Sequence, residues 1–190
     1  LEDAVSNYDL VIATSNRKRF LTKKTYDSFN ILQKKIRDFR NAAILFGPEN
    51  SGLSNQDIRL ANFLFTIPTF NKNKSLNLSH AVSVMSYELF QANNTSFKKN
   101  PTSNIDKVSK LEFSNFINVL LKDLDSRGFF KPIEKKASMI DNIYSIYNKT
   151  DLSKKELRML WGIHKKLKNQ PKSWNNGFDI NKLISIYPSN

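Results

Sequence analysis

The sequence predicts an α/β domain built on a parallel sheet, followed by an all-helical part. Through residue 97, short apolar runs alternate with segments of helical periodicity, the pattern of a parallel sheet that is covered on both faces. Each apolar run stops at a polar or glycine-containing turn, as buried strands do. Beyond residue 107 only helical periodicity remains.

The apolar runs at residues 10–13, 42–46 and 63–67 predict three buried strands. Apolar residues at helical spacing predict helices over residues 29–39 and 77–92. The residues expected on the apolar face of the second helix are Leu78, Val82, Met85 and Leu89.

Two Ser-x-x-acid patterns predict capped helix starts, at Ser54 and at Ser153. The segment 95–107 is polar, contains a proline and has no periodicity, so we predict a domain over 1–94, a linker over 95–107 and a helical extension over 108–190. The residues expected on the inner faces of its three helices are Leu111, Phe116, Leu120 and Leu124, then Ile140, Ile143, Tyr144 and Tyr147, then Leu157, Leu160 and Ile163.

The composition limits the possible chemistry. The 190 residues include two histidines and no cysteine. Cysteine nucleophiles, disulfides and zinc–cysteine sites are therefore excluded in this chain, and a histidine-built metal site is not expected. No apolar run is long enough to span a bilayer, so we expect a soluble cytoplasmic protein with no membrane partner.

The net charge of +13 indicates a polyanionic partner, and nucleic acid is the usual one. Residues 1–97 carry 12 basic and 8 acidic residues, or +4, whereas residues 98–190 carry 18 and 9, or +9. The helical part is thus either an RNA-binding appendage or a helical cap or dimer element with a solvated lysine face. A solvated basic surface in a lysine-biased proteome is the alternative for the whole chain.

Three polar motifs follow the three predicted strands. They begin at Thr14, at Gly47 and at Ser75, and the third comes after Ile67-Pro68. Each motif alone is compatible with a turn or a helix cap. Together they predict a ligand site, because ligands of open α/β sheets bind at the carboxyl ends of the strands. We expect Gly47 to leave room for such a ligand.

The order of these motifs resembles the SpoU/TrmH family of RNA ribose methyltransferases over residues 1–92. The matching residues are Thr14-Ser15-x-Arg17, then Phe46-Gly47-Pro48-Glu49-x-x-Gly52-Leu53-Ser54, then Ile67-Pro68 and Ser75-Leu76-Asn77-Leu78-Ser79-x-Ala81-Val82 with Tyr87-Glu88. The resemblance implies a homodimer, a trefoil-knotted fold, which is an exception to the rule against knots, and S-adenosylmethionine as cofactor.

The resemblance also assigns roles. The cofactor-binding residues that it implies are Thr14, Ser15, Asn16, Gly47, Ile67, Lys74, Ser75 and Leu76. Glu49, Ser75 and Asn77 match the residues that hold a catalytic arginine and the target nucleotide. That arginine belongs to a first motif that should lie upstream of Leu1, so we expect a missing N-terminal piece. A non-catalytic RNA-binding protein is the alternative.

The helical part, from Phe113 to Ile163, is similar to the extension of the TrmJ branch of this family. This implies 2′-O-methylation of the pyrimidine at position 32 in the tRNA anticodon loop, with ribosomal RNA or another tRNA position as the alternative. The basic residues expected to contact RNA are Arg17, Lys135, Lys136, Lys154, Lys155, Lys165 and Lys166.

Overall fold

A computed structural model describes residues 1–16, 23–70, 76–94, 106–148 and 151–169. The strands are β1 (Leu10–Thr14), β2 (Thr25–Tyr26), β3 (Ala42–Leu45) and β4 (Phe63–Phe65). The α-helices are α1 (Glu2–Val5), α2 (Phe29–Arg37), α3 (Asn55–Leu60), α4 (Leu78–Asn94), α5 (Lys110–Ser126), α6 (Lys136–Asn148) and α7 (Lys154–Lys168). A 3-10 turn, Ile133–Lys135, precedes α6.

The four strands form one parallel sheet in the order β2-β4-β1-β3, which confirms the predicted α/β class. Ile12 in the central strand lies opposite Ile44 on one side and Phe63 on the other. The carboxyl ends of β1, β3 and β4 therefore meet at one edge of the sheet. Strand β2 was not predicted, because two residues are too few to carry a recognisable pattern.

Successive residues of β1 point to opposite faces of the sheet and so supply two cores. Val11 and Ala13 lie in the core beneath α3, which contributes Ile58. Leu10 and Ile12 lie in the core of the other face. The partners there are Leu32 from α2, Phe63 and Phe65 from β4, and Met85 from α4.

Helices α5 to α7 share a third core around Phe116 and Ile117. The predicted capping box at Ser153 is present, as is the one at Ser54, and Ser109 starts α5 in the same way. Two expected inner residues, Leu111 and Ile163, are each 51% exposed, so those two predictions are wrong. In α7 the inward positions instead fall on Leu157, Leu160, Trp161 and His164, which leaves residue 163 on the outer face.

These helices lie directly against the sheet-containing part. Arg59 of α3 forms an ion pair with Asp141 of α6. The Asn148 side-chain amide donates to the Arg59 carbonyl at 3.0 Å, and the Lys110 backbone N–H donates to Tyr8 at 2.9 Å. Of the predicted linker, residues 95–105 lie outside the described residues. None of the described helices is long and apolar enough to cross a membrane.

Two lysine side chains are enclosed at this junction. Lys23 Nζ donates to the carbonyls of Arg59, at 3.0 Å, and of Ala61. Burial lowers the pKa of Lys23 to about 7, although Asp141 acts in the opposite direction. Lys110 Nζ donates to Asn148 Oδ1 at 3.1 Å, and burial lowers the pKa of Lys110 well below its ordinary value.

Candidate active site

A cavity of about 380 Å³ opens at the edge of the sheet where β1, β3 and β4 end. Its walls come from the three segments that follow these strands and from the first turns of α4. The residues that line it are Thr14, Ser15, Asn16, Phe46, Gly47, Pro48, Glu49, Gly52, Leu53, Ile67, Thr69, Leu76, Leu78 and Ala81. The size is that of a pocket for a cofactor-sized ligand.

Hydrogen bonds between neighbouring strand ends fix the floor of this cavity. Thr14 Oγ1 donates to the Leu45 carbonyl at 2.8 Å. On the other side, Thr66 Oγ1 donates to the Ser15 carbonyl at 2.7 Å, and the Ser15 N–H donates to Phe65 at 3.0 Å. The strand ends are thus joined in pairs, so the backbone that faces a ligand is already ordered.

The segment from Gly47 to Leu53 folds back on itself. The Gly52 N–H donates to the Pro48 carbonyl at 2.7 Å, and Gly52 has a φ of +66°, which favours glycine. A Cβ on Gly47 would lie 2.2 Å from the Leu53 nitrogen and 2.3 Å from the Gly52 carbonyl carbon. The missing side chain of Gly47 therefore makes room for its own loop, whereas the expected room for a ligand stays a prediction.

Glu49 and Asn77 both bind the start of α4. Glu49 Oε1 accepts a hydrogen bond from the Leu78 N–H at 3.0 Å. Asn77 Oδ1 accepts from the Ser79 N–H at 2.9 Å and also from the Ser79 hydroxyl. Asn77 is thus an N-cap, and Glu49 places a carboxylate at the positive end of the helix dipole. This contact joins the segment after β3 to the segment after β4.

Most of the predicted cofactor-binding and catalytic residues come together at the cavity. Those that line it are Thr14, Ser15, Asn16, Gly47, Glu49, Ile67 and Leu76, and Asn77 lies between two lining residues. Arg17, Lys74 and Ser75 lie outside the described residues. Sequence reasoning assigned no site role to Phe46, Leu53, Thr69, Leu78 or Ala81, although all five lie within the motifs or next to them.

The described lining combines apolar side chains with exposed polar backbone. Phe46, Leu53 and Ile67 offer surfaces for a flat ring, and Glu49 is the one ionisable side chain among the described residues of the wall. A ligand with a flat aromatic ring and a cationic group fits this combination, and S-adenosylmethionine has both. Within the described ranges, no three His, Cys, Asp or Glu residues are grouped to hold a metal ion.

The predicted RNA-contacting lysines lie on the helical part, with at least one of each pair exposed, as expected. Lys136 pairs with Asp125 at 2.7 Å, and Lys154 pairs with Asp106 at 3.2 Å. The described residues place no acidic partner beside Lys135, Lys155, Lys165 or Lys166. Lys155 and Lys166 flank the exposed apolar face of α7, together with Arg158, which the sequence reasoning missed.

Comparison with known proteins identifies the family. The SpoU rRNA methylase family matches residues 1–87. An "uncharacterized tRNA/rRNA methyltransferase" of Haemophilus influenzae is 30% identical over 168 residues, 85% of this chain and 67% of that protein. The "tRNA (cytidine/uridine/adenosine-2'-O-)-methyltransferase TrmJ" of Pseudomonas aeruginosa is 27% identical and aligns with 86% of this chain, 68% of its own length. The crystal structure of TrmJ from Z. mobilis ZM4 superposes with a TM-score of 0.76 and 28% identity, over 88% of this chain and 71% of that one.

The chain therefore belongs to the SpoU methylase family, a family of RNA methyltransferases. Within it, the chain is a TrmJ-like methyltransferase, because its similarity to TrmJ proteins covers 86–88% of the chain, far more than the 87 residues that the family match spans. The predicted resemblance to this family and to its TrmJ branch is thereby confirmed, whereas the helical extension as a separate unit stays a prediction.

Proposed function

We propose that the chain is an S-adenosylmethionine-dependent RNA 2′-O-methyltransferase that acts on the pyrimidine at position 32 of the tRNA anticodon loop. The observation that supports this most strongly is that the segments after β1, β3 and β4 converge on one cavity of cofactor size. The names of TrmJ relatives that modify tRNA cytidine and uridine support the substrate class.

The cofactor would lie against the strand ends. Thr14 is the last residue of β1 and is followed by Ser15 and Asn16. Gly47 comes after β3 in the sequence, and Ile67, Lys74, Ser75 and Leu76 come after β4. When bound, S-adenosylmethionine supplies an electrophilic methyl group on a sulfonium. The apolar walls exclude water from a ring, and Glu49 provides a negative charge at a site for a cationic ligand.

Catalysis requires that a weak nucleophile, the ribose 2′-hydroxyl, be oriented and deprotonated. Glu49 is held through Oε1, so its other oxygen is directed by a fixed side chain and can hold a guanidinium. Asn77 uses Oδ1 for its cap and keeps its NH₂ group for the target nucleotide. Ser75 completes the proposed catalytic set, which positions the arginine of the expected first motif.

The basic helical face would bind the tRNA body. We assign Lys135, Lys136, Lys154, Lys155, Lys165 and Lys166 to phosphate contacts, together with Arg17, which follows Asn16 in the sequence. Lys136 and Lys154 must exchange or share their carboxylate partners to do so, and we expect them to contribute less. The division into residues 1–94, 95–107 and 108–190 belongs to this proposal.

The proposal includes a cytoplasmic homodimer whose subunits each contain a trefoil knot. The side of α4 that faces away from Met85 leaves Val84 37%, Tyr87 60% and Phe90 62% exposed, which is an apolar surface suited to a second copy. Sedimentation of Phe90→Glu tests the dimer, and a monomeric variant is the expected outcome. An unmodified chain that sediments as a monomer would contradict this part of the proposal.

Calorimetric titration of the chain with S-adenosylmethionine tests the cofactor site. We expect saturable binding that is lost when Ile67→Arg places a cation in the wall of the cavity. Gln91→Arg, a matched change at an exposed position on α4, should leave binding intact. Equal affinity in the chain and in Ile67→Arg would refute the assignment.

A further inference from the structure

The turn between α5 and the 3-10 turn before α6 has a fixed backbone. The Phe129 N–H donates to the Leu124 carbonyl at 3.0 Å, and the Gly128 N–H donates to Asp125 at 2.9 Å. Gly128 has a φ of +72°. These features make a Schellman motif, in which the residue after the glycine is held in one place at the end of the helix.

Phe129 occupies that position, and half of its side chain, 50%, is exposed. In a Schellman motif the equivalent residue commonly packs back against the helix. Here the ring makes a T-shaped contact with Phe130, with centroids 5.4 Å apart, and Phe130 is buried in its place. The backbone therefore holds an aromatic ring towards solvent although a neighbouring phenylalanine already fills the interior.

Basic residues predominate in the chain segment around Phe129. Residues 127–136 contain four basic residues and one acidic residue. The Arg127 guanidinium donates to the Lys168 carbonyl at 2.9 Å and so attaches the turn to the end of α7. Lys136 is paired with Asp125. The described residues offer no carboxylate partner to Lys131 or Lys135, and both side chains are exposed.

We propose that Phe129 is a stacking platform for an unpaired RNA base, with Lys131 and Lys135 binding the adjacent phosphates. An exposed aromatic ring among cations matches the two parts of a nucleotide, a flat base and a charged backbone. A double helix keeps its bases stacked inside, so the platform selects a loop or an end. The inference rests on the proposed function, to which it adds a base-contacting residue.

The experiment measures anisotropy of labelled oligouridine and of a blunt RNA duplex with the same number of phosphates, using the full chain. Phe129→Leu keeps an apolar side chain but has no aromatic face, whereas Phe129→Tyr keeps the face. We expect Phe129→Leu to weaken oligouridine binding by roughly five- to 150-fold, the effect of one base–aromatic stack. Binding of the duplex should not change, and Phe129→Tyr should retain the affinity.

Ile146→Ala is the matched control, because Ile146 on α6 is 60% exposed and lies outside the turn. Its binding should equal that of the unmodified chain. Thermal unfolding of each variant identifies a loss of RNA binding that is caused by misfolding. If Phe129→Leu misfolds, the affinity of Phe129→Tyr for the two RNAs decides the outcome. Equal weakening of both RNAs by Phe129→Leu, or no weakening, would overturn this inference alone. If the unmodified chain bound neither RNA, the proposed RNA surface would fail as well.

Discussion

The close approach within the Gly47–Leu53 loop predicts a large effect from a single methyl group. In Gly47→Ala the new Cβ would lie 2.2 Å from the Leu53 nitrogen, which is backbone and cannot rotate away. Overpacking of this kind costs about 1–3 kcal/mol of unfolding free energy. For a chain of this size that corresponds to a fall in Tm of roughly 2–12 °C.

The same change should weaken the binding of S-adenosylmethionine, because the displaced loop carries Glu49, Gly52 and Leu53 of the cavity wall. Gly162→Ala is the matched control. Its Cβ would meet nothing within 4 Å in the middle of α7, and alanine there should raise stability by about 0.5–1 kcal/mol. Calorimetry and thermal unfolding of both variants are the assays. A Gly47→Ala protein with unchanged Tm and cofactor affinity would refute the argument for this loop.

Four further predictions follow from the contacts. Asn77→Ala should lower the free energy of unfolding by about 1 kcal/mol because the helix cap is lost, and Asn77→Asp should restore stability but not turnover. Turnover restored by aspartate would remove Asn77 from the catalytic set. Glu49→Gln keeps an acceptor for Leu78 and removes the charge, so turnover should fall far more than Tm; equal activity would leave Glu49 with a capping role only. The pKa of Lys23 is about 7 in the folded state and 10.5 ordinarily, so the unfolded state binds more protons between those pH values and the free energy of unfolding should rise from pH 7 to pH 9. Urea unfolding of Lys23→Met should show a smaller rise with pH, and an identical rise would contradict the burial argument. The double variant Lys155→Ala/Lys166→Ala should reduce the slope of log affinity for tRNA against log salt by roughly 1.4–1.8, whereas Lys136→Ala, which removes a paired lysine, should change that slope less. Equal changes per lysine would contradict the distinction between paired and unpaired lysines.

The position of the site could be predicted from the sequence because parallel strands end at a common edge. Thr14 and Gly47 follow two of the runs whose apolar character alone identified them as buried strands, Ile67 ends the third, and all three residues line one cavity. The caps at Ser54 and Ser153 were equally predictable, since a capping box is a local pattern.

The remaining features depend on contacts between distant parts of the chain. The role of Gly47 follows from a loop that returns at Gly52, which no spacing reveals. Glu49 caps a helix 29 residues further along the chain, a contact that only the fold brings about. Ile163 was misplaced because helical periodicity gives a repeat but does not say which face a third helix turns inward.

The most direct test of the account is methyl transfer itself. The full-length protein is incubated with labelled S-adenosylmethionine and unmodified tRNA, and ribose methylation is mapped along the RNA. The account predicts label on the 2′-oxygen of the pyrimidine at position 32, and loss of that label in Glu49→Gln. Specific binding of tRNA without any transfer of label would contradict it and would indicate a non-catalytic RNA-binding protein.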